Sequence, residues 1–285
     1  MPDLVHVQVA LKAGLIALYL KWRYRIPYIL TEHWSGYYPV SSDSLYKKSY
    51  ITRFVTRLIL KNATRFLPVS EDLGKEISVH WSPVSYQKIP NVVNTDLFYP
   101  SENTQSTIFR FIHISALQYP KNPEGIIRAF IELLRQNIPA ELELVGPVTP
   151  SLIELIKASG LRPDQLHCTG EIPYDQVAVE LRKSSSLIMF SFYENMPCAI
   201  LEALCSGVPV IATKVGGIPE IIRKENGILI NVGNETELLD AMKDMIHNYQ
   251  SYDRRQISHE ATEQFSYKVI GKKIVDVYRS VPENK

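Results

Sequence analysis

Two glutamates, Glu194 and Glu202, lie eight residues apart where an apolar run gives way to a helical pattern. We expect Glu194 in the loop at a strand end and Glu202 about one turn inside the next helix, where they would reach different groups of one ligand. The start of such a helix offers backbone N–H groups and a partial positive charge, which suit a phosphate. A sugar diphosphate needs this combination of hydroxyl acceptors and anion donors. Two arbitrary glutamates would more often be a loop residue and a solvated helix residue.

The residues around these glutamates form a longer pattern. Glu202 is followed by residues 203–213, ALCSGVPVIAT, and then by residues 216–220, GGIPE. This pattern closely resembles the donor-site signature of glycosyltransferase family 4. The resemblance extends over nearly the whole chain and includes residues 90–93, Phe98 and the pair Lys121-Asn122. It implies a GT-B fold, with two Rossmann-like domains with parallel sheets that face each other across a cleft, and transfer with retention at the anomeric carbon.

The resemblance also implies roles for individual residues. Glu202 would accept hydrogen bonds from ribose hydroxyls, as an acceptor-only carboxylate can, and Glu194 would contact hydroxyls of the donor sugar. Lys121 would neutralise charge on the leaving diphosphate. Backbone groups would approach the donor at Asn195, Met196, Cys198, Gly216 and Gly217.

The sequence departs from the family pattern at two places. Ser115-Ala116 stands where the family usually has Gly-Arg, so Ser115 would line the donor site without one of two expected phosphate-binding cations. Either Lys121 acts with helix N-termini alone, or Arg128 or Lys214 replaces that cation. Further β-α units normally precede the segment that matches residues 2–9, so we expect the first, acceptor-side domain to be incomplete.

Two features of residues 1–100 are candidates for function. His33 follows an apolar run and would lie at a strand end, where the family often places a functional histidine, and a packed histidine is the competing interpretation. Arg53, Arg57 and Lys61 line one face of an amphipathic helix. That face is either a solvated surface or a contact for anionic lipid headgroups.

Residues 1–104 have the pattern of a partial Rossmann-like domain and its linker. We expect strands at residues 4–9, 28–31 and 65–69, a helix at residues 10–23 and a polar loop at residues 32–39. The apolar stripe of the basic helix would be Tyr50, Ile51, Phe54, Val55, Leu58 and Ile59.

From residue 108 onward, apolar strands alternate with helical patterns. This alternation predicts a parallel sheet with helices on both faces. Ligands of such sheets bind at the carboxyl ends of the strands, which indicates residues 115–121, 191–198 and 213–219. We therefore place a nucleotide-sugar-binding domain at residues 105–264. A C-terminal helix at residues 265–285 could pack back on the first domain.

Composition narrows the functional classes. The net charge of +1 excludes a globally basic nucleic-acid-binding protein. The apolar stretch at residues 13–20 is too short to span a bilayer. The three cysteines fit neither zinc nor disulfide spacing, and we expect reduced core thiols in a cytoplasmic protein. No Asp-x-Asp pair occurs, so we expect metal-independent chemistry and no cofactor.

These observations predict a retaining, hexosyltransferase-type enzyme of polysaccharide biosynthesis. It would move a sugar from a nucleotide-diphosphate sugar to a glycan or lipid-linked acceptor, in the cytoplasm or at the inner face of the membrane. The alternative is a catalytically impaired nucleotide-sugar-binding fragment or an assembly partner. A GT-B phosphorylase remains open, and the spacing of Glu194 and Glu202 disfavours an epimerase.

Overall fold

The computed structural model describes residues 1–101 and 108–282, which form two compact units. Unit 1 comprises Met1–Asn91, the short segment Tyr193–Met196 and the chain from Lys268 onward. Unit 2 comprises Val92–Phe192 and Pro197–Tyr267. The boundary predicted between residues 104 and 105 lies outside the described residues.

Unit 1 is built on a parallel sheet of three strands in the order β1-β2-β3. Val7 lies opposite Leu30, and Leu30 opposite Phe66, which fixes the register. The elements of its first part are β1 (Val5–Gln8), α1 (Ala13–Tyr24), β2 (Tyr28–Glu32), α2 (Tyr50–Asn62), β3 (Arg65–Pro68) and α3 (Glu71–His80).

Three details of unit 1 differ from the sequence expectation. The first helix begins at Ala13 instead of residue 10, because Val9 and Lys12 have positive φ angles of 67° and 62° that no helix continues. Strand β2 extends to Glu32, which is buried and not part of a polar loop. Tyr50, Ile51 and Phe54, expected in the apolar stripe of α2, are exposed.

The packing of α2 explains that exposure. Its buried residues are Thr56, Ile59 and Leu60, in its second half. Ile59 packs closely against Gly14 of α1. A Cβ atom added to Gly14 would lie 2.7 Å from the Ile59 side chain, so the two helices are in direct contact there. The Ile59 carbonyl also accepts a hydrogen bond of 2.5 Å from the hydroxyl of buried Tyr28. The first turn of α2 extends beyond these contacts.

The last helix of the chain, α10 (Tyr267–Arg279), joins unit 1 through its apolar face. Ile270 and Val277 pack into one cluster with residues of β2, β3 and the segment after α3, namely Ile29, Leu67 and Ile89. Beyond the helix, the Arg65 guanidinium donates to the Ser280 carbonyl at 2.9 Å.

Unit 2 contains a parallel sheet of six strands in the order β6-β5-β4-β7-β8-β9, and its helices pack around a continuous apolar core. The strands are β4 (Phe109–Ile114), β5 (Ala140–Val145), β6 (Leu166–Gly170), β7 (Ser186–Met189), β8 (Val210–Thr213) and β9 (Gly227–Ile230). The helices are α4 (Pro123–Arg135), α5 (Pro150–Ser159), α6 (Tyr174–Lys183), α7 (Cys198–Cys205), α8 (Glu235–His247) and α9 (Arg254–Phe265). The predicted α/β class with two parallel sheets is confirmed.

Helix α9 was not predicted from the sequence, and a single 3-10 turn, Ile218–Glu220, follows the glycine pair. The surface of α9 is so polar that its apolar periodicity is weak. It is held by three buried apolar side chains, those of Ile257, Ala261 and Phe265, and by close contact of its first residue, Arg254, with Gly207.

The carboxyl end of β4 is fixed by a buried histidine. His113 Nδ1 lies 2.8 Å from the Ile188 carbonyl, which can only accept, so Nδ1 carries the proton. Burial lowers the pKa of His113 to about 4, so the ring is neutral and Nε2 accepts from the Ser115 hydroxyl at 2.8 Å. The Ser115 oxygen in turn accepts from the Leu117 N–H at 3.0 Å. These bonds set the path of the chain after β4.

A glycine lets the neighbouring strand approach this point. Gly146 follows β5 with a φ of 139°, and an added Cβ would lie 1.8 Å from the Ser115 carbonyl oxygen. The Ser115 N–H donates to the Val145 carbonyl at 3.1 Å. The ends of β4 and β5 are therefore in direct backbone contact, which only glycine permits.

We predict that Gly146→Ala lowers the free energy of unfolding by about 3 kcal/mol or more, because it adds backbone strain and a clash with another backbone atom. Gly160→Ala is the control: Gly160 also has a positive φ, 71°, but open space at the Cβ position, and we expect a loss of about 1 kcal/mol. Urea unfolding measures both. Equal losses for the two variants would contradict the close contact at Ser115.

A second prediction concerns pH. The folded-state pKa of His113 lies below the unfolded value, so its contribution to stability is present above pH 6.5 and is lost as the pH falls towards about 4. Between pH 7 and pH 5 this histidine should remove about 2 kcal/mol of stability. In His113→Asn this position does not titrate. Over the same pH range the free energy of unfolding of the variant, measured in urea, should therefore fall by about 2 kcal/mol less than that of the wild type. Identical pH dependence in the wild type and the variant would show that His113 is not buried in neutral form.

Candidate functional site

In unit 2, the most unusual carboxylate is that of Glu202. It is buried in the second turn of α7, and its Oε1 accepts a hydrogen bond of 2.8 Å from the Tyr174 hydroxyl. Among the described residues, Tyr174 is its one hydrogen-bond partner. Burial raises the pKa of Glu202, and the bond from Tyr174 opposes that rise. A buried carboxylate with a single donor retains acceptor capacity for a ligand.

Tyr174 itself was not identified from the sequence. It is the first residue of α6, and its ring packs edge-on against Phe98 with the centroids 5.1 Å apart. Burial and the neighbouring Glu202 raise the pKa of Tyr174, so the hydroxyl stays protonated and donates. No local sequence signal marks this residue, because its partner lies 28 residues further along the chain.

The start of α7 differs from that of most helices in the protein. Pro197 occupies the N-cap position and offers no side-chain acceptor to the first turn. Ser70, Asn122 and Thr149, in contrast, cap α3, α4 and α5 through their side chains. The backbone N–H groups and partial positive charge at the start of α7 therefore have no side-chain cap and suit an anion.

Two of the three cysteines do not match the expectation of core thiols. Cys198, the first residue of α7, is exposed, and so is Cys168 on the edge strand β6. Only Cys205, at the other end of α7, is buried. Position in the fold explains the difference, because a helix start at a strand end and an edge strand both face outward.

The loop after β4 holds Ser115, Ala116 and Lys121. The Ser115 hydroxyl donates to His113, so it has no hydrogen left to donate to a phosphate. Ala116 is exposed and contributes no charge. Lys121 follows, and its positive charge helps to lower the pKa of His113, which places the ammonium close to the end of β4.

Two cations could replace the family arginine, and the structure distinguishes them. Arg128 on α4 makes a paired interaction with the Glu235 carboxylate, with its Nε 3.0 and 3.1 Å from the two oxygens. Lys214 is exposed directly after β8, at the carboxyl end of the sheet. Lys214 also has an acidic neighbour, since its charge helps to lower the pKa of Glu237. Its place at the carboxyl end of the sheet, where ligands of parallel sheets bind, makes Lys214 the better candidate.

The glycine pair follows β8 at the same end of the sheet. Gly216 has a φ of 50°, and Gly217 precedes the 3-10 turn Ile218–Glu220. The Thr213 hydroxyl donates to the Ser191 carbonyl at 2.7 Å and ties the end of β8 to the segment that follows β7. Unit 2 thus places Gly216, Gly217 and Lys121 in loops at strand ends, and Cys198 at a helix start.

Glu194, Asn195 and Met196 belong to unit 1, although they lie between β7 and α7 in the sequence. Hydrogen bonds to three separate segments of that unit hold them. Tyr193 Oη lies 3.2 Å from the N–H and the hydroxyl of Ser42, Asn195 Nδ2 donates to the His33 carbonyl at 2.8 Å, and the Met196 carbonyl accepts from Asn91 Nδ2 at 2.7 Å. The structure therefore brings His33 together with Asn195.

This segment presents polar groups of two kinds. Glu194 is partly exposed between the two anchored residues Tyr193 and Asn195. The Asn195 Oδ1 atom is buried without a hydrogen-bond partner. The backbone N–H groups of Asn195 and Met196 make no hydrogen bond with any described residue. The segment therefore combines a carboxylate with N–H groups that no described residue accepts from.

Glu32 positions His33 and was missed by the sequence analysis. Its buried carboxylate accepts four hydrogen bonds, from the N–H groups of Ala10, His33 and Trp34 and from the Tyr37 hydroxyl, at 2.9–3.0 Å. Burial raises its pKa, and these bonds oppose the rise. An acidic residue directly after the apolar run of β2 is the signal that could have identified it.

The imidazole of His33 is exposed and makes no hydrogen bond with a described residue. Partial burial lowers the pKa of His33 below its ordinary value of 6.5. The neutral ring can therefore accept a proton at neutral pH.

Metal-ligand clusters and membrane-spanning helices are both absent from residues 1–101 and 108–282. No three His, Cys, Asp or Glu side chains there are grouped so that they could hold a metal ion. No helix in the same residues has both the length and the apolarity that crossing a bilayer requires.

Sequence comparison with known proteins gives consistent results. Glycosyltransferase MJ1178 of Methanocaldococcus jannaschii, whose function is uncharacterised, is 27% identical over 285 residues, which are 99% of this chain and 75% of that protein. N-acetyl-alpha-D-glucosaminyl L-malate synthase of Bacillus anthracis is 29% identical over 177 residues, which are 60% of this chain and 44% of that enzyme. The chain thus spans less than half of the length of the second relative.

Solved structures show the same fold. Sucrose-phosphate synthase from Thermosynechococcus elongatus superposes with a TM-score of 0.84 at 21% identity, over 97% of this chain and 73% of that one. Anabaena HepE, solved in complex with UDP and glucose, gives a TM-score of 0.81 at 20% identity, over 98% of this chain and 78% of that one.

Family models match both parts of the chain. The model of glycosyltransferase family 4 matches residues 1–97, and the model of glycosyl transferases group 1 matches residues 98–264. The second match alone covers more than half of the chain, and the two parallel sheets agree with the GT-B architecture. The chain therefore belongs to the family of group 1 glycosyl transferases with the GT-B fold.

Proposed function

We propose that this protein is a retaining glycosyltransferase that takes a hexose from a nucleotide-diphosphate sugar. The observation that carries the proposal is the buried Glu202 with its single donor, Tyr174. Family membership supports the transferase class. Anabaena HepE, a protein of the same fold, has been solved with UDP and with UDP-glucose.

The ribose of the donor would bind at Glu202. Two adjacent hydroxyls can donate to one carboxylate, and a hydrogen bond to a charged group contributes roughly 1.5–3 kcal/mol. The contribution is large here because the carboxylate is buried and, within residues 1–101 and 108–282, Tyr174 is the one donor to it. Ribose binding would thus replace the hydration that Glu202 loses on folding.

The diphosphate would bind at the start of α7. The first turn there, with Cys198, has no side-chain cap, so a phosphate could take the place that a capping side chain occupies in other helices. Lys121 would stabilise the charge that develops on the leaving group, with Lys214 as the second cation in place of the missing arginine. Gly216 and Gly217 would let the backbone approach the donor.

Glu194 would accept hydrogen bonds from the hydroxyls of the donor sugar, and N–H groups of Asn195 and Met196 would face phosphate oxygens. The Ser115 side chain, already bonded to His113, would line the site without donating. The acceptor hydroxyl would attack the anomeric carbon from the face that the nucleoside diphosphate leaves, without a covalent protein nucleophile. A leaving phosphate oxygen would take the proton of that hydroxyl, and His33 is the alternative acceptor of the same proton.

The acceptor would be a glycan or a lipid-linked sugar in polysaccharide biosynthesis, reached from the cytoplasmic side of a membrane. Arg53, Arg57 and Lys61 would contribute to contact with anionic lipid. The comparisons do not favour the alternative of an idle binding fragment or assembly partner.

A binding experiment tests the donor site. We expect the wild type to bind at least one nucleoside diphosphate and to release it from the corresponding nucleotide sugar. Glu202→Gln keeps the shape of the side chain but removes its charge, and should weaken nucleotide binding roughly 10- to 100-fold. Isothermal titration with uridine, guanosine and adenosine diphosphates measures the effect.

The control is Glu132→Gln, which removes an exposed carboxylate of α4 at 45% side-chain exposure. It should bind nucleotide as the wild type does. Unchanged affinity in Glu202→Gln, with binding intact in the control, would remove the ribose contact from the proposal. Failure of the wild type to bind any of the three nucleotides would remove the donor site altogether.

We also predict that transfer does not depend on a metal ion, since the charge on the diphosphate would be met by Lys121 and helix N–H groups. Treatment with EDTA should leave the rate of nucleoside diphosphate release within about twofold of the untreated rate. A tenfold loss that Mg²⁺ or Mn²⁺ restores would show that a divalent cation takes part.

A further inference from the structure

Helices α1 and α2 of unit 1 pack side by side and share an unusual surface. Gly14 of α1 fits against Ile59 of α2, and Lys21 Nζ donates to the Asn62 carbonyl at 2.5 Å. Both helices therefore present their outer faces on one region of the unit. We define the α1/α2 surface by the exposed side chains of these outer faces.

The apolar part of the α1/α2 surface is large. On α1 the buried residues are Gly14, Ala17 and Leu18, and the opposite side is apolar as well. Seven large apolar side chains on the two helices are exposed by 51% (Leu15) to 72% (Ile51). They are Leu15, Ile16, Tyr19, Trp22, Tyr50, Ile51 and Phe54. Exposed apolar patches of this kind mark sites of interaction.

The charge of the same region has one sign. Residues 4–31 and 44–70, which contain both helices, include no Asp or Glu. They include ten basic residues: Lys12, Lys21, Arg23, Arg25, Lys47, Lys48, Arg53, Arg57, Lys61 and Arg65. Arg23, Arg57 and Lys61 are all exposed. Arg23 also packs over the Tyr24 ring at 5.0 Å and Arg57 over the Trp81 ring at 5.4 Å. Neither helix carries an acidic residue, and Lys48, just before α2, pairs with Asp43.

We propose that the α1/α2 surface docks on an anionic lipid bilayer. Trp22, Tyr19 and Tyr50 would lie at the level of the headgroups, where amphipathic aromatic side chains are favoured. Ile16, Ile51 and Phe54 would enter the boundary with the acyl chains, and the cations would attract anionic headgroups. The proposal extends the lipid contact proposed above for Arg53, Arg57 and Lys61. It rests on the proposed function in one respect only, namely that docking on a membrane would bring the enzyme to a lipid-linked acceptor.

Other occupants fit the charge less well. A second copy of the chain, docked through the same surface, would bring the cations of two copies together, and neither α1 nor α2 carries a carboxylate that could compensate them. The helices contain 12 and 13 residues, so they would lie in the interface and not span it.

Vesicle flotation of the full chain tests the proposal. We expect binding to vesicles of phosphatidylcholine and phosphatidylglycerol, weak binding to phosphatidylcholine alone, and weaker binding in high salt. Ile51→Ser with Phe54→Ser should weaken binding at least tenfold. Arg23→Gln with Lys61→Gln should weaken it roughly 30-fold. The control, Val79→Ser with Val275→Ser, changes exposed apolar residues on α3 and α10 of the same unit and should bind as the wild type does.

Tryptophan fluorescence gives a second readout. Of the three tryptophans, Trp22 is exposed, Trp34 is partly exposed and Trp81 is buried. Anionic vesicles should shift the emission of Trp22, which lies on the α1/α2 surface, to shorter wavelength, and Trp22→Phe should abolish that shift. Nucleotide binding by the flotation variants should equal that of the wild type, which separates failure here from failure of the donor site. The proposal would be overturned if the protein did not bind anionic vesicles, or if Ile51→Ser/Phe54→Ser bound them as well as the control does. It would also be overturned if the protein were a dimer that these substitutions dissociate.

Discussion

Burial of the Glu202 carboxylate is the constraint around which the donor half of the protein is arranged. Removing an ionised carboxylate from water is costly unless donors replace the water. In unit 1, four hydrogen-bond donors replace the water that the buried Glu32 carboxylate loses on folding, and these bonds hold the local structure. Glu202 has Tyr174 alone among the described residues. The two glutamates are both buried, and the difference in the number of their donors is the reason to propose ligand binding for Glu202 and not for Glu32.

The strand ends of unit 2 are held in place by contacts to which only one residue of the signature segment, Thr213, contributes. His113 directs Ser115, Gly146 allows β5 to touch the end of β4, and Thr213 ties β8 to the segment after β7. Each interaction joins two elements at the carboxyl edge of the sheet, where ligands of parallel sheets bind. Loops that would contact a diphosphate are thus positioned before any ligand arrives, which lowers the entropic cost of binding.

Periodicity and family resemblance identified the parallel sheets, the helix that carries Glu202 and the glycine pair after β8, because these features are local in sequence. Contacts between distant residues were not accessible. Nothing near Asn195 indicates its bond to His33, 162 residues away, or that residues 193–196 group with unit 1. The exposure of Tyr50 and Phe54 was also missed, since a helical pattern shows which residues are apolar but not how far the core extends. Helix α9 was missed because its polar residues mask a weak apolar period.

The central claim is that the second unit binds a nucleotide-diphosphate sugar through Glu202 and the start of α7. A crystal structure of the chain soaked with a nucleoside diphosphate tests it most directly. The account predicts ribose hydroxyls within hydrogen-bonding distance of the Glu202 carboxylate and phosphate oxygens beside the first turn of α7, near Cys198. A nucleotide bound elsewhere on the protein, with Glu202 bonded only to Tyr174, would contradict it.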